Sequence, residues 1–129
     1  NEDNQWVFDR LAHYAITANE NMWNFDLSDF GDDLQYTTYW GDQGGHYHWH
    51  TDVGESVCNR KLSMVLQLST EDEYEGGNVQ LNVGHGVLDF GKEIGSLYVF
   101  PSFVLHRVTP VVGGVRRSLV AWITGPNLK

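Results

Sequence analysis

Cysteine is nearly absent from the chain. Cys58 stands alone, so no internal disulfide can form, and a reducing, cytoplasmic setting is the expectation. It sits in the loop-like stretch GESVCNR and reads as a bystander rather than a catalytic thiol. Basic residues are also scarce, with 8 Lys and Arg against 17 Asp and Glu and a formal charge of −9. Phosphate binding needs a cationic face, so nucleic acid is not an expected partner. No apolar run approaches the roughly 20 residues that span a bilayer, and no leader with a basic end and an apolar middle is recognisable. A membrane is therefore not an expected partner either. Repeats, linkers and low-complexity tracts are missing too. The 129 residues suit one domain, residues 1–129, and leave no room for two.

What the chain does have is apolar and aromatic mass. Hydrophobic residues make up 41%, with 5 Trp, 6 Tyr and 6 Phe, enough for a real core. The 14 glycines and frequent alternation of apolar and polar residues lean towards strands joined by turns. One helix is expected at about 4–23, where Trp6, Val7, Leu11, Tyr14, Ala15, Ala18 and Met22 recur at helical spacing. Asp3 or Asn4 can cap its start. It should pack on the outside of a sheet, with His13 as a surface or packing residue. From Phe25 onward the period changes to two. Strands are predicted over 33–40, 46–52, 61–69, 78–83, 86–90, 95–100, 106–112 and 116–124, separated by GDQGG, STEDEYEGG, GHG, GKEIG and VGG. STEDEYE reads as a solvated loop, and His46 and His85, beside glycines in turns, as solvated. One helix followed by about eight short strands predicts a mainly β protein, an antiparallel jelly roll or barrel, with its core at about 33–126.

The run HYHWHTD, residues 46–52, carries the chemistry. Side chains two apart on a strand share a face, so His50 and Asp52 can grip one ion together. On a straight strand His48 and His46 lie about 7 and 14 Å from His50, too far to join them. A third ligand must come from elsewhere, and His106 is the best offer. Two imidazoles and one carboxylate form the facial triad of non-haem Fe(II) oxygenases, whose other side stays open. A structural zinc site would instead close with cysteine.

Ten positions after His106 comes Arg116, in VRRSLVAW. Arg116 and Ser118 share a face, expected inward with Val120, whereas Arg117 points the other way. A buried guanidinium must meet an anion, because an unpaired interior charge costs several kcal/mol, and its fork suits a carboxylate. A dicarboxylate could bind Arg116 at one end and a metal at the other, the requirement of a 2-oxoglutarate site.

With these residues in view, the chain resembles the Fe(II)/2-oxoglutarate-dependent dioxygenases of the prolyl 4-hydroxylase-like family. The carriers are YTTYWGDQGGHYHWHTD, NRKLSMVLQLS, EYEGGNVQL, GSLYVFPSFVLHRVTPV and GVRRSLVAWITGP, from about Leu34 to Pro126. The resemblance implies a double-stranded β-helix with His50, Asp52 and His106 on the metal. Arg116 would anchor the cosubstrate, with Tyr39 and Ser118 adding hydrogen bonds. Tyr47 would line the pocket. His48 by its parity and Arg60 by its place before a strand are further substrate-pocket candidates, and Trp122 could back the site, although a core role suits it better. The EYEGG glycines read as positive-φ positions. The implied cofactors are Fe(II), 2-oxoglutarate and O2, with ascorbate as an optional addition. The implied reaction is hydroxylation of an unactivated C–H bond with release of succinate and CO2. Asp52 keeps the carboxylate that related halogenases lack. A prolyl residue in a peptide or protein is the implied substrate, with a free amino acid or another small metabolite left open. Two other classes are alternatives. A cupin-like metal enzyme would use no 2-oxoglutarate, and a non-catalytic jelly-roll binding module would not explain the ordered His, Asp, His and Arg. A substrate-binding segment outside these 129 residues is left open.

Overall fold

The computed structural model describes residues 5–30, 34–53 and 59–126. The expected cap at Asp3 or Asn4 and the Cys58 thiol lie outside them. The elements are a helix α1 (Gln5–Met22) and ten strands: β1 (Asp29–Phe30), β2 (Gln35–Trp40), β3 (Tyr47–His50), β4 (Arg60–Gln67), β5 (Tyr74–Gly76), β6 (Val79–Asn82), β7 (Val87–Asp89), β8 (Leu97–Pro101), β9 (His106–Val108) and β10 (Val111–Thr124).

All strand pairing is antiparallel. The larger sheet runs β1-β10-β4-β8, with β2 and β5 also paired to β10, and the smaller runs β3-β9-β6-β7. Sequence neighbours such as β3 and β4 thus lie in different sheets, the arrangement of the expected double-stranded β-helix. The period of two sorts the side chains of the larger sheet. Leu62, Met64, Ala121 and Ile123 turn outward and meet Leu11 and Ala15 of α1, all six 5% exposed or less. The alternate positions Ser63, Val65, Ser118 and Val120 turn inward and line a cavity. Burial of the outer face against α1 holds the helix, at about 25 cal/mol per Å² of apolar surface. The helix end is tied by Asn19, whose side chain exchanges hydrogen bonds of 2.9 and 2.8 Å with the Phe25 backbone.

Trp6, Tyr14 and Met22, counted in the apolar stripe of α1, are 64%, 54% and 70% exposed, because the helix docks through a narrower stripe centred on Leu11 and Ala15. The strands predicted at 106–112 and 116–124 divide earlier, at Thr109–Pro110, and β10 runs unbroken through VGG. Gly113 and Gly114 pair with Glu75 and Tyr74 of β5 just after an irregularity between Val111 and Gly113, rather than forming a turn, and Gly114 adopts φ +75°, which only glycine takes without strain. STEDEYE is not wholly a solvated loop. Its Glu71–Glu73 turn is capped by Thr70, whose N–H and hydroxyl donate to Glu73, and Tyr74 then enters β5 with 4% exposure. The pair β1 and β5 was not anticipated as strands. The positive φ expected in EYEGG is found at Gly76 (+74°) and Gly77 (+60°).

Candidate active site

His50 and His106, remote in sequence, are direct partners across the β3–β9 pair, and their rings lie 4.1 Å apart. Asp52 follows β3, and its N–H donates to Ser102 O at 2.9 Å, which pins it against the loop between β8 and β9. Asp52 Oδ1 sits 3.3 Å from His50 Nε2 and 3.3 Å from His106 Nε2. Ligands about 2.1 Å from a common ion and at right angles to each other lie about 3 Å apart, so this spacing suits one small divalent cation. These three are the group of His, Cys, Asp and Glu side chains among the described residues that could hold a metal ion.

The remaining bonds of the trio point the same way. His50 Nδ1 donates to His48 O at 2.7 Å and His106 Nδ1 to Val104 O at 2.8 Å. Each ring thereby keeps its proton on Nδ1 and turns the Nε2 lone pair to the centre, as metal-ligating histidines do. The other carboxylate oxygen, Asp52 Oδ2, accepts from Ser63 Oγ at 2.5 Å and from Trp122 Nε1 at 3.0 Å. Ser63 is in turn 3.0 Å from Ser102 Oγ. One oxygen is thus pinned and the other left for an ion. Burial would raise the Asp52 pKa, but the neighbouring imidazoles of His106 and His50 and the Ser63 hydroxyl outweigh it and hold the carboxyl far below its usual range. For His50, burial works to lower the pKa, while Asp52 and the His48 carbonyl raise it, and the net shift is upward.

Parity along β3 is not uniform. Tyr47 faces Val108 and His50 faces His106, so three steps on β3 oppose two on β9. This irregularity turns Tyr47 and His50 to the same side, with rings 3.9 Å apart. Tyr47 lines the cavity and His48 does not, which corrects the parity argument for His48. The His48 ring instead leans on His46, with the Nε2 atoms 3.1 Å apart, and both are exposed. His46 nevertheless lines the cavity. His85 is exposed as expected.

Arg116 is 2% exposed and lines the same cavity as the trio, together with Tyr39 and Ser118. Its partners are long: Nη1 donates to Ser118 Oγ at 3.5 Å and Nη2 to Gln67 Oε1 at 3.4 Å. Burial lowers its pKa, opposed by the phenols of Tyr74, Tyr39 and Tyr98. Burial likewise raises the Tyr39 pKa, opposed by Arg116. Arg117 points the other way, as its parity required, and reaches Glu73 Oε2 at 3.8 Å. Arg60 is not in the cavity wall. It stacks on Trp122 at 3.9 Å and donates to Asp52 O at 3.3 Å. Trp122 does line the cavity and has the further task of holding Asp52.

Sequence reasoning missed Ser63, Ser102, Gln67 and Tyr74. A signal existed for two of them: Ser63 and Gln67, like Lys61, are polar residues that alternate with the apolar outer face of KLSMVLQ, where an ordinary core strand would place apolar ones. Phe100, whose ring lies 4.7 Å from His106, is a further wall residue that was not foreseen.

Two antiparallel sheets around one cavity of about 420 Å³, with two imidazoles and a carboxylate at one place and a buried guanidinium at another, define a jelly-roll protein of the facial-triad class. Residues 34–124 match the 2OG-Fe(II) oxygenase superfamily, and the chain belongs to that family. A PKHD-type hydroxylase of Synechococcus sp. (strain CC9605) is 40% identical over 82 residues, covering 62% of this chain and 37% of the relative. Another, from Colwellia psychrerythraea, is 36% identical over 84 residues, covering 62% and 38%. The chain therefore spans less than two fifths of the length of these curated relatives. Among solved structures, a Pseudomonas putida prolyl-4-hydroxylase aligns with a TM-score of 0.72 and 27% identity, over 92% of this chain and 63% of that one. A Trichoplax adhaerens prolyl hydroxylase, solved with a hypoxia inducible factor peptide fragment, aligns with a TM-score of 0.78 and 17% identity, over 94% and 56%; at that identity the likeness concerns the fold. No helix among the described residues is long and apolar enough to cross a membrane.

Proposed function

We propose that the chain is the catalytic core of a 2-oxoglutarate-dependent hydroxylase that acts on a prolyl residue of a peptide or protein. One observation carries this reading: the His50, Asp52 and His106 trio and Arg116 open onto a single cavity. His50, Asp52 and His106 would hold an Fe(II) ion, which would supply the coupling of O2 reduction to decarboxylation of 2-oxoglutarate to succinate and CO2 with oxygenation of the substrate. The chain's own work is to bind and orient. Arg116 receives the distal carboxylate of 2-oxoglutarate, with Ser118 and Tyr39 as neighbouring hydroxyl donors. Ser63 and Trp122 hold Asp52 so that one oxygen serves the metal. Tyr47 and Phe100 flank the two histidines and keep their surroundings apolar.

The prolyl substrate is supported by the kinship to PKHD-type hydroxylases and the alignment with prolyl hydroxylases. The test is succinate release, with Fe(II), O2 and 2-oxoglutarate supplied, over a panel of proline-containing peptides and free amino acids. Release that needs a peptide, with a product mass higher by one oxygen at proline, supports the reading. Equal release with free amino acids, or none with any peptide, overturns the prolyl assignment. Failure to bind 2-oxoglutarate at all would overturn the cosubstrate assignment.

A further inference from the structure

Arg116 is a large side chain buried almost completely, yet its own hydrogen bonds hold it loosely. The contacts with Ser118 and Gln67 are at or near the limit of a hydrogen bond, and Nε has no partner, while Tyr74 interacts with the guanidinium directly. Something else must fix where the guanidinium stops. Behind it stands Tyr74, which is 4% exposed and does not line the cavity. Its hydroxyl accepts from Gln67 Nε2 at 2.5 Å, and the oxygen of that same amide accepts from Arg116. Among the three phenols that favour the charged guanidinium, Tyr74 contributes most.

The Tyr74 ring is itself clamped. Lys92 Nζ lies 4.1 Å over its face and donates to Gly76 O at 3.1 Å. On another side Gly77 leaves room for both partners: a Cβ there would come within 3.0 Å of Arg116 Cδ and 3.1 Å of Tyr74 Cε2. The stem of Arg116 and the ring of Tyr74 thus pack against one hydrogen-only position. Tyr74, Gln67 and Arg116 form a chain in which the rigid member is the phenol and the flexible member is the arginine.

This matters because the metal end of the cavity is fixed by β3 and β9, so the reach of Arg116 sets the length available to a diacid. We propose that Tyr74 is a positioning residue that sets the depth of Arg116 and thereby selects a five-carbon 2-oxo diacid over a longer one. The inference rests on the reading of Arg116 as the carboxylate anchor. Without the phenol hydroxyl, Gln67 loses its partner and the guanidinium can retract towards the vacated space, which favours a longer ligand.

Isothermal titration calorimetry on the Mn(II)-loaded protein tests this with 2-oxoglutarate, 2-oxoadipate and the monoacid 2-oxopentanoate. One methylene is worth at least about tenfold in a shaped pocket, so the native chain should prefer 2-oxoglutarate to 2-oxoadipate by that factor. Tyr74→Phe should weaken 2-oxoglutarate about tenfold, leave 2-oxoadipate and Mn(II) unchanged, and so bring the two diacids level. Gln67→Met, which cuts the same link without touching β5, should do likewise. Retention of the native preference in both variants, or equal weakening of both diacids, overturns the proposal while leaving the anchor intact. Arg116→Gln separates the two ideas: it should bring 2-oxoglutarate down to the affinity of 2-oxopentanoate. Undiminished 2-oxoglutarate binding in that variant would overturn the anchor and the length selection together.

Discussion

Ser63→Ala isolates the support of the proposed metal-binding carboxylate, Asp52, from the proposed ligands themselves. The hydroxyl donates to Asp52 Oδ2 at 2.5 Å, in a place where Ser63 is 1% and Asp52 9% exposed. A hydrogen bond to a buried charge is worth about 1.5–3 kcal/mol, but Trp122 Nε1 stays on the same oxygen at 3.0 Å, so the loss should fall at the low end. The carboxylate keeps its charge and gains rotation about its last bond. Orientation of Oδ1 towards the two Nε2 atoms then costs entropy on binding, and loss of such outer support lowers metal affinity about 10- to 100-fold. The expected result is a Mn(II) dissociation constant raised about tenfold for Ser63→Ala, similar for Trp122→Phe, and for the double variant a loss larger than the sum of the single ones, because either donor alone still limits the rotation. Calorimetric Mn(II) titration of the four proteins measures this cycle, with melting temperature as a check on folding. Unchanged affinity in Ser63→Ala and in the double variant would refute the argument that these donors set the ligand geometry.

Two further outcomes follow from the same geometry. The raised pKa of His50 contributes stability to the metal-free protein that is complete below the unfolded value of about 6.5 and is lost as pH rises through the higher folded value. Mn(II) affinity must move the other way across that window, since the ion needs the neutral ring, and titrations at several pH values that gave a flat profile would contradict it. Gly114→Ala places a methyl against the Glu73 carbonyl and 2.8 Å from Tyr74 Cα, at φ +75°. It should cost more than about 1 kcal/mol and lower the melting temperature by about 4 °C or more; a melting curve identical to the native one would show that β10 accommodates the residue.

The strands were legible because KLSMVLQ, GSLYVF and RRSLVAWIT alternate, and alternation follows from burial of one face at a time. The trio was legible for a different reason. His50 and Asp52 have few uses together in a strand, and His106 and Arg116 follow in the order expected of residues that would meet an ion and a diacid. What failed was inference from strict parity. His48 was placed inward by counting twos from His50, and the irregularity between Tyr47 and His50 undid the count. VGG read as a turn for a similar reason: glycines that permit a reversal also permit a strand to twist past a neighbour, and only the presence of β5 alongside decides between them. Tyr74 was hidden in an acidic run, where charge density masks a single buried aromatic.

By itself, the order of residues determined the chemistry: which side chains can ligate a cation, which can hold a carboxylate, and which faces of the strands are apolar. These are local properties, set by side-chain type and by the two-residue repeat of the extended chain. The tertiary structure decided what depends on strands remote in sequence meeting: His106 opposite His50, Ser63 and Trp122 on one oxygen of Asp52, and Tyr74 behind Arg116. Those contacts join β3 to β9, β4 and β10 to the loop after β3, and β5 to β10, and no periodicity within a single strand encodes the register of its pairing with a distant one.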